Sequence, residues 1–167
     1  INFLRVLEKI IIKIFLEKKF HQSLNIFKTF LKRKINKMSP DILNIHWINR
    51  STISLGEIQE LNCKILISLH DMWFLNSTEH YFLKNYNNKD LISAFCFNKK
   101  KELVKKDGLY FVAHNRWMLN KFKNLFPKFK SKIFLCNYYP IDINLFKPRN
   151  KIKLRREKAV KLKNARG

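Results

Sequence analysis

Two apolar runs constrain the fold most: ILNIHWIN, from Ile42 to Asn49, and ILISLHDMWF, from Ile65 to Phe74. Each is short, rich in isoleucine and leucine, and closes on a histidine and a tryptophan. Continuous apolarity over so few residues predicts strands of a parallel sheet, since a strand with one wet face alternates instead. In parallel sheets, ligands gather where the strands end. Two histidines delivered to equivalent strand ends therefore predict a catalytic cleft.

The flanking segments supply the rest of an α/β pattern. Phe3, Leu7, Ile10, Ile11, Ile14 and Phe15 recur at helical spacing and predict an amphipathic helix over Phe3–Phe20. A second basic helix is expected over Leu24–Ile35. Pro40 and Asp41 mark a turn before a strand at Ile42–Trp47. Ser54 followed by Glu57 has the spacing of a capping box and predicts a short helix within Thr52–Leu61. A strand at Lys64–Leu69 follows, then a polar loop over Asn76–Asp90 that would lie over the cleft. The order closes with a helix at Leu91–Lys106, a strand at Leu109–Ala113, a helix at Arg116–Leu125 and a strand at Lys132–Cys136. Strands alternating with helices predict a parallel sheet flanked by helices. The boundaries read as a basic helical segment over 1–39, the sheet domain over 40–148 and a charged tail over 149–167.

With 167 residues, 46% of them hydrophobic, the chain can bury a core. A net charge of +23 draws it toward polyanions, either nucleic acid or an anionic membrane face. Lysine dominates over arginine, whereas nucleic-acid sites favour the arginine fork, so the charge reads mainly as a compositional bias toward Lys, Asn, Ile and Phe. The first helix, with Lys18 and Lys19, also has the pattern of a segment lying on an anionic membrane. No run approaches the roughly 20 apolar residues of a membrane span. Cys63, Cys96 and Cys136 lack metal-site spacing and point weakly to a reducing compartment.

The chemistry at the strand ends follows from residue type. His46 and His70 can exchange protons near neutral pH or donate to a polar substrate group. Asp71 can orient an imidazole, and Trp47 and Trp73 offer flat faces for stacking on a sugar ring. His46, His70, His80 and Asp71 match no recognised zinc spacing. Neither a GxSxG elbow nor a P-loop is present, and the three glycines cannot form a glycine-rich phosphate cradle.

Four motifs in order, PDILNIHWIN from Pro40, KILISLHDMW from Lys64, FVAHNRWMLNKF from Phe111 and YPIDINLFKP from Tyr139, resemble the N-terminal half of GT-B retaining glycosyltransferases. The likeness is to group 1, or family 4, enzymes of capsule and colanic-acid-like polysaccharide synthesis, and LHDMW is its most specific element. It implies a Rossmann-like α/β domain that moves a sugar from a nucleotide-diphosphate donor to a glycan or lipid-linked acceptor. It assigns His70 to assisting transfer, His46 and Trp47 to the acceptor side and Arg116 to the donor phosphates. It implies no metal or other cofactor, and a cytoplasmic place, with basic helices against the inner membrane face. Departures are Phe74 directly after Trp73, without the intervening proline of LHDMWPF, Glu79-His80-Tyr81 where relatives carry a CHY element, Asn115 for serine, and Tyr138-Tyr139 for Pro-Asn. Relatives also carry an opening strand with a glycine-rich loop and a C-terminal nucleotide-binding domain. The expectation is thus of an incomplete GT-B fold, inactive alone, whose second wall a partner chain could supply. The rival expectations are a basic nucleic-acid-binding protein and a membrane-associated protein without catalysis.

Overall fold

Strands β1 (Ile42–His46), β2 (Lys64–Leu69), β3 (Leu109–Ala113) and β4 (Ile133–Leu135) form a single sheet, all parallel and in chain order. The computed structural model describes residues 2–16, 21–81, 90–136 and 141–148, with 150, 152 and 155. The chain divides into two compact units, Ile1–Asn137 and Tyr138–Gly167. The sheet lies wholly in the first, which is α/β with a Rossmann-like alternation of strands and helices.

The helices are α1 (Asn2–Phe15), α2 (Leu31–Met38), α3 (Leu55–Gln59), α4 (Leu91–Lys105) and α5 (Arg116–Leu125). Strands β2 and β3 and helix α5 have the bounds expected from sequence, and β1 and β4 are trimmed by one or two residues. Helix α3 starts at the anticipated capping box: Ser54 Oγ accepts from the Glu57 N–H at 3.1 Å, while the Glu57 carboxylate accepts from the Ser54 N–H at 3.2 Å.

The second helix differs from expectation. It covers Leu31–Met38, and residues 21–30 run irregularly, with Asn25 and Phe30 at φ of 51° and 62°. Tertiary hydrogen bonds outcompete helix formation there. The Glu8 carboxylate accepts from the N–H groups of Leu24 and Asn25, the Asn25 amide donates to the carbonyls of Ile48 and Ile53, and Leu55 N–H donates to the Asn25 carbonyl.

Register sorts the strand residues onto two faces. Leu43, Ile45, Ile65, Ile67, Leu69, Leu109, Phe111, Ala113 and Ile133 share one face and pack with Leu55, Ile58, Leu103, Val104, Met118 and Phe122 of the helices. This burial is the main stabilising term, at about 1.5–3 kcal/mol for each large side chain removed from water. A sheet that advances in one direction through right-handed crossovers places its connecting helices on one side. The opposite face carries Ile42, His46, Tyr110 and Phe134, all exposed. A continuous apolar run in the sequence therefore does not here mean cover on both faces.

A smaller cluster of Leu16, Leu24 and Cys96, with Ile11, Ile12, Ile26 and Ile92, ties α1 to α4. Phe3, Val6, Ile10 and Ile14 remain exposed along the outside of α1. Among the described residues, no helix is long and apolar enough to cross a membrane. Residues 17–20 of the expected first helix, 82–89 of the expected loop and nearly all of the 149–167 tail lie outside the described residues. In the second unit, Asp142 organises a turn, accepting through Oδ1 from the N–H groups of Asn144 and Leu145.

Candidate active site

The parallel register carries three histidines to neighbouring strand ends. His46 is the last residue of β1 and pairs with Ser68; His70 follows β2 and His114 follows β3, whose ends pair Leu69 with Ala113. All three belong to the open face by the two-residue period of a strand. His46 Nδ1 lies 2.7 Å from His70 Nε2, with ring centroids 5.0 Å apart. His70 stacks on His114 with centroids 4.9 Å apart and planes inclined by 26°. His114 is the site residue that sequence reasoning passed over. Its signal was its place one residue past a strand, as for His70.

His46 and His70 share a proton. One ring nitrogen must donate to the other across the 2.7 Å contact, so the tautomers of His46 and His70 are linked. Partial burial pushes the His70 pKa below 6.5, and His114 and His46 add to the effect, against an opposing pull from Asp71. A neutral imidazole is thereby favoured at the centre of the row, poised to accept a proton at neutral pH.

Asp71 serves a different ring. Its Oδ2 lies 2.6 Å from His80 Nδ1, and its Oδ1 accepts from the Trp73 N–H at 2.9 Å. Burial pushes the Asp71 pKa up, but the bonds from His80 and the Trp73 backbone outweigh it, and the carboxyl titrates below its usual range. His80 Nε2 in turn lies 3.0 Å from Ser23 Oγ, and the Trp73 indole N–H donates to the Ser23 carbonyl at 2.6 Å. The order carboxylate, imidazole, hydroxyl is that of a nucleophilic triad. Here Ser23 has no exposed surface and His80 is 3% exposed. The hydroxyl and the imidazole are closed to solvent, and the network braces the turn that presents His70.

The remaining expected site residues separate. Trp47 is 48% exposed at φ 45°, with the Arg50 guanidinium 5.8 Å from its ring centroid. Trp73 is 4% exposed with Lys100 Nζ 3.9 Å from its ring centroid, so it is core and has no face for a sugar. Arg116 is exposed at the first position of α5, two residues beyond His114 and just after the Asn115 cap. The crevice between the ends of β1 and β2, where Trp47, Ser68, His70 and Asp71 meet, holds only about 20 Å³. The exposed edges of His46 and His70 are therefore reached from outside the crevice. Among the described residues, no group of three or more His, Cys, Asp or Glu side chains could hold a metal ion.

No protein-family description, curated protein or solved structure matches this chain. A parallel α/β sheet hosts many chemistries, so the functional argument rests on the site itself.

Proposed function

We propose that the chain contributes the acceptor-side wall of a GT-B type glycosyltransferase, which moves a sugar from a nucleotide-diphosphate donor to a hydroxyl of a glycan or lipid-linked acceptor. The observation carrying this reading is the hydrogen-bonded pair His46 and His70 at the ends of adjacent parallel strands, beside an exposed Trp47. In the reaction, the bond from the sugar anomeric carbon to the diphosphate breaks. The acceptor oxygen bonds that carbon, its proton passes to a base, and the diphosphate leaves with the negative charge. The imidazole pair suits donation to the reacting groups and proton uptake. Trp47 suits an apolar sugar face, and Arg116 suits the charge accumulating on the leaving diphosphate. The reading gives the nucleotide to a second domain, in this or a partner chain, because a productive cleft needs two walls.

The test follows the ring resonances of His46, His70 and His114 by NMR while the chain is titrated with UDP- and GDP-sugars, oligosaccharides and polyprenyl phosphate. Selective shifts of these rings by a donor or acceptor, lost in His70→Ala with the fold intact, are the expected result. Rings that none of these compounds move, with nucleic acid bound tightly and in a strongly salt-dependent way, would replace this reading by the nucleic-acid one.

A further inference from the structure

A second concavity lies away from the histidine row, between α1 and the chain at His21, Gln22 and Arg50, and encloses about 540 Å³. That volume falls in the range of small-molecule sites, roughly 300–1,000 Å³. Its walls carry Arg5, Lys9 and Lys13 from α1 together with His21 and Arg50. Among the described residues, the one carboxylate in the lining, Glu8, is already engaged by the Leu24 and Asn25 N–H groups and the Ser51 hydroxyl. Gln22 also lines the cavity. It is 6% exposed, and both polar atoms of its amide lack a hydrogen-bond partner among the described residues.

We propose that this cavity binds a phosphate-bearing ligand. Four permanent cations converge on a concave, partly enclosed space in which the Glu8 carboxylate is committed elsewhere, and such a shape focuses positive potential. Two of the cations are arginines, whose planar forks match phosphate oxygens, and Arg5 is steadied by its Nε donating to the Arg50 carbonyl at 3.2 Å. A buried amide with neither atom paired is costly, and a ligand that accepts from its NH₂ and donates to its carbonyl removes the cost. Phosphate oxygens supply the acceptor and a hydroxyl on the phosphate's carrier supplies the donor. The class is therefore a phosphorylated polyol, sugar or glycerol.

Two sources share that chemistry. One is a soluble phosphate ester. The other is a phospholipid headgroup, to which the exposed stripe of Phe3, Val6, Ile10 and Ile14 on the same helix would bring acyl-chain contact. The proposal does not rest on the sugar-transfer reading, since His46, His70 and His114 take no part in the cavity.

Calorimetry on the full chain at 0.15 M salt, with glycerol 3-phosphate and inorganic diphosphate as soluble probes, is paired with sedimentation on phosphatidylglycerol and phosphatidylcholine vesicles. Lys9→Gln/Lys13→Gln is expected to weaken phosphate binding about tenfold or more. The charge-matched Lys128→Gln/Lys130→Gln, on the exposed turn before β4, is expected to leave it within about twofold. Gln22→Leu should fold as stably as the parent, by circular dichroism and melting, yet bind about tenfold more weakly, because it removes an unpaired amide rather than a structural bond. Soluble binding unaffected by Ile10→Glu assigns a soluble ester. Binding only to phosphatidylglycerol vesicles, lost in Ile10→Glu, assigns a headgroup. Equal weakening by both lysine pairs, or no binding in any arm, overturns the proposal.

Discussion

His46 Nδ1 and His70 Nε2 stand 2.7 Å apart across two adjacent parallel strands, and His114 stacks on the far side of His70. The tautomers of His46 and His70 are consequently coupled. Since the folded pKa of His70 lies below 6.5, the unfolded chain takes up more protons as the pH falls through 6.5. The stability His70 contributes is complete above that value and is lost below it. Urea unfolding at pH 7.5 and 5.5 should show a loss on acidification, and His70→Asn should shrink it.

Asp71 organises what supports that row. Asp71→Ala leaves His80 and the Trp73 N–H without their acceptor in a mostly buried setting, and should cost about 3 kcal/mol in urea unfolding. Because the folded carboxyl titrates below its usual range, its contribution is present at neutral pH and disappears as the pH drops through the folded pKa. The variant should therefore lose part of the parent's acid sensitivity below about pH 4.

Lys100 is fully buried on α4, where its ammonium donates to the carbonyls of Trp73, Asn76 and Ser77. Burial pushes its pKa down to about 7, against smaller opposing effects of Cys96, Glu79 and Asp71. Between pH 7 and 10.5 the unfolded chain binds more protons at this residue than the folded one, so stability should rise with pH over that window. Lys100→Met should flatten the rise, measured as melting temperature at pH 7, 8 and 9.

Glu57 joins two elements that lie far apart in sequence. Its carboxylate accepts from the N–H groups of Thr29, Lys32 and Ser54 and from the hydroxyls of Thr29 and Ser54. Glu57→Ala should destabilise by about 2–3 kcal/mol, since several buried donors lose their acceptor. Ser54→Ala, which removes mainly the helix cap, should cost about 1 kcal/mol. Both are checked by chemical denaturation.

The strands and the helices after β1 were legible because each carries a local signal. Lys64–Leu69 and Leu109–Ala113 are apolar runs with turns at their ends, and Ser54 with Glu57 is a reciprocal cap that local backbone geometry enforces. The 21–30 segment was not legible. Its helical periodicity is overridden by Glu8 and Asn25, whose partners lie 16 to 28 residues away. The roles of Trp73 and Asp71 were equally hidden, because motif position cannot tell a tryptophan facing a cleft from one facing the core.

Local patterning thus determined by itself that this chain alternates short apolar strands with helices and ends two of those strands in histidine. Register is a pairing between distant segments, so only the tertiary structure decided that His46, His70 and His114 form one row. Packing decided that Trp73 and His80 lie inside while Trp47 stays outside. The basic cavity beside α1 also belongs to the tertiary structure, since its cations come from segments that sequence spacing does not bring together.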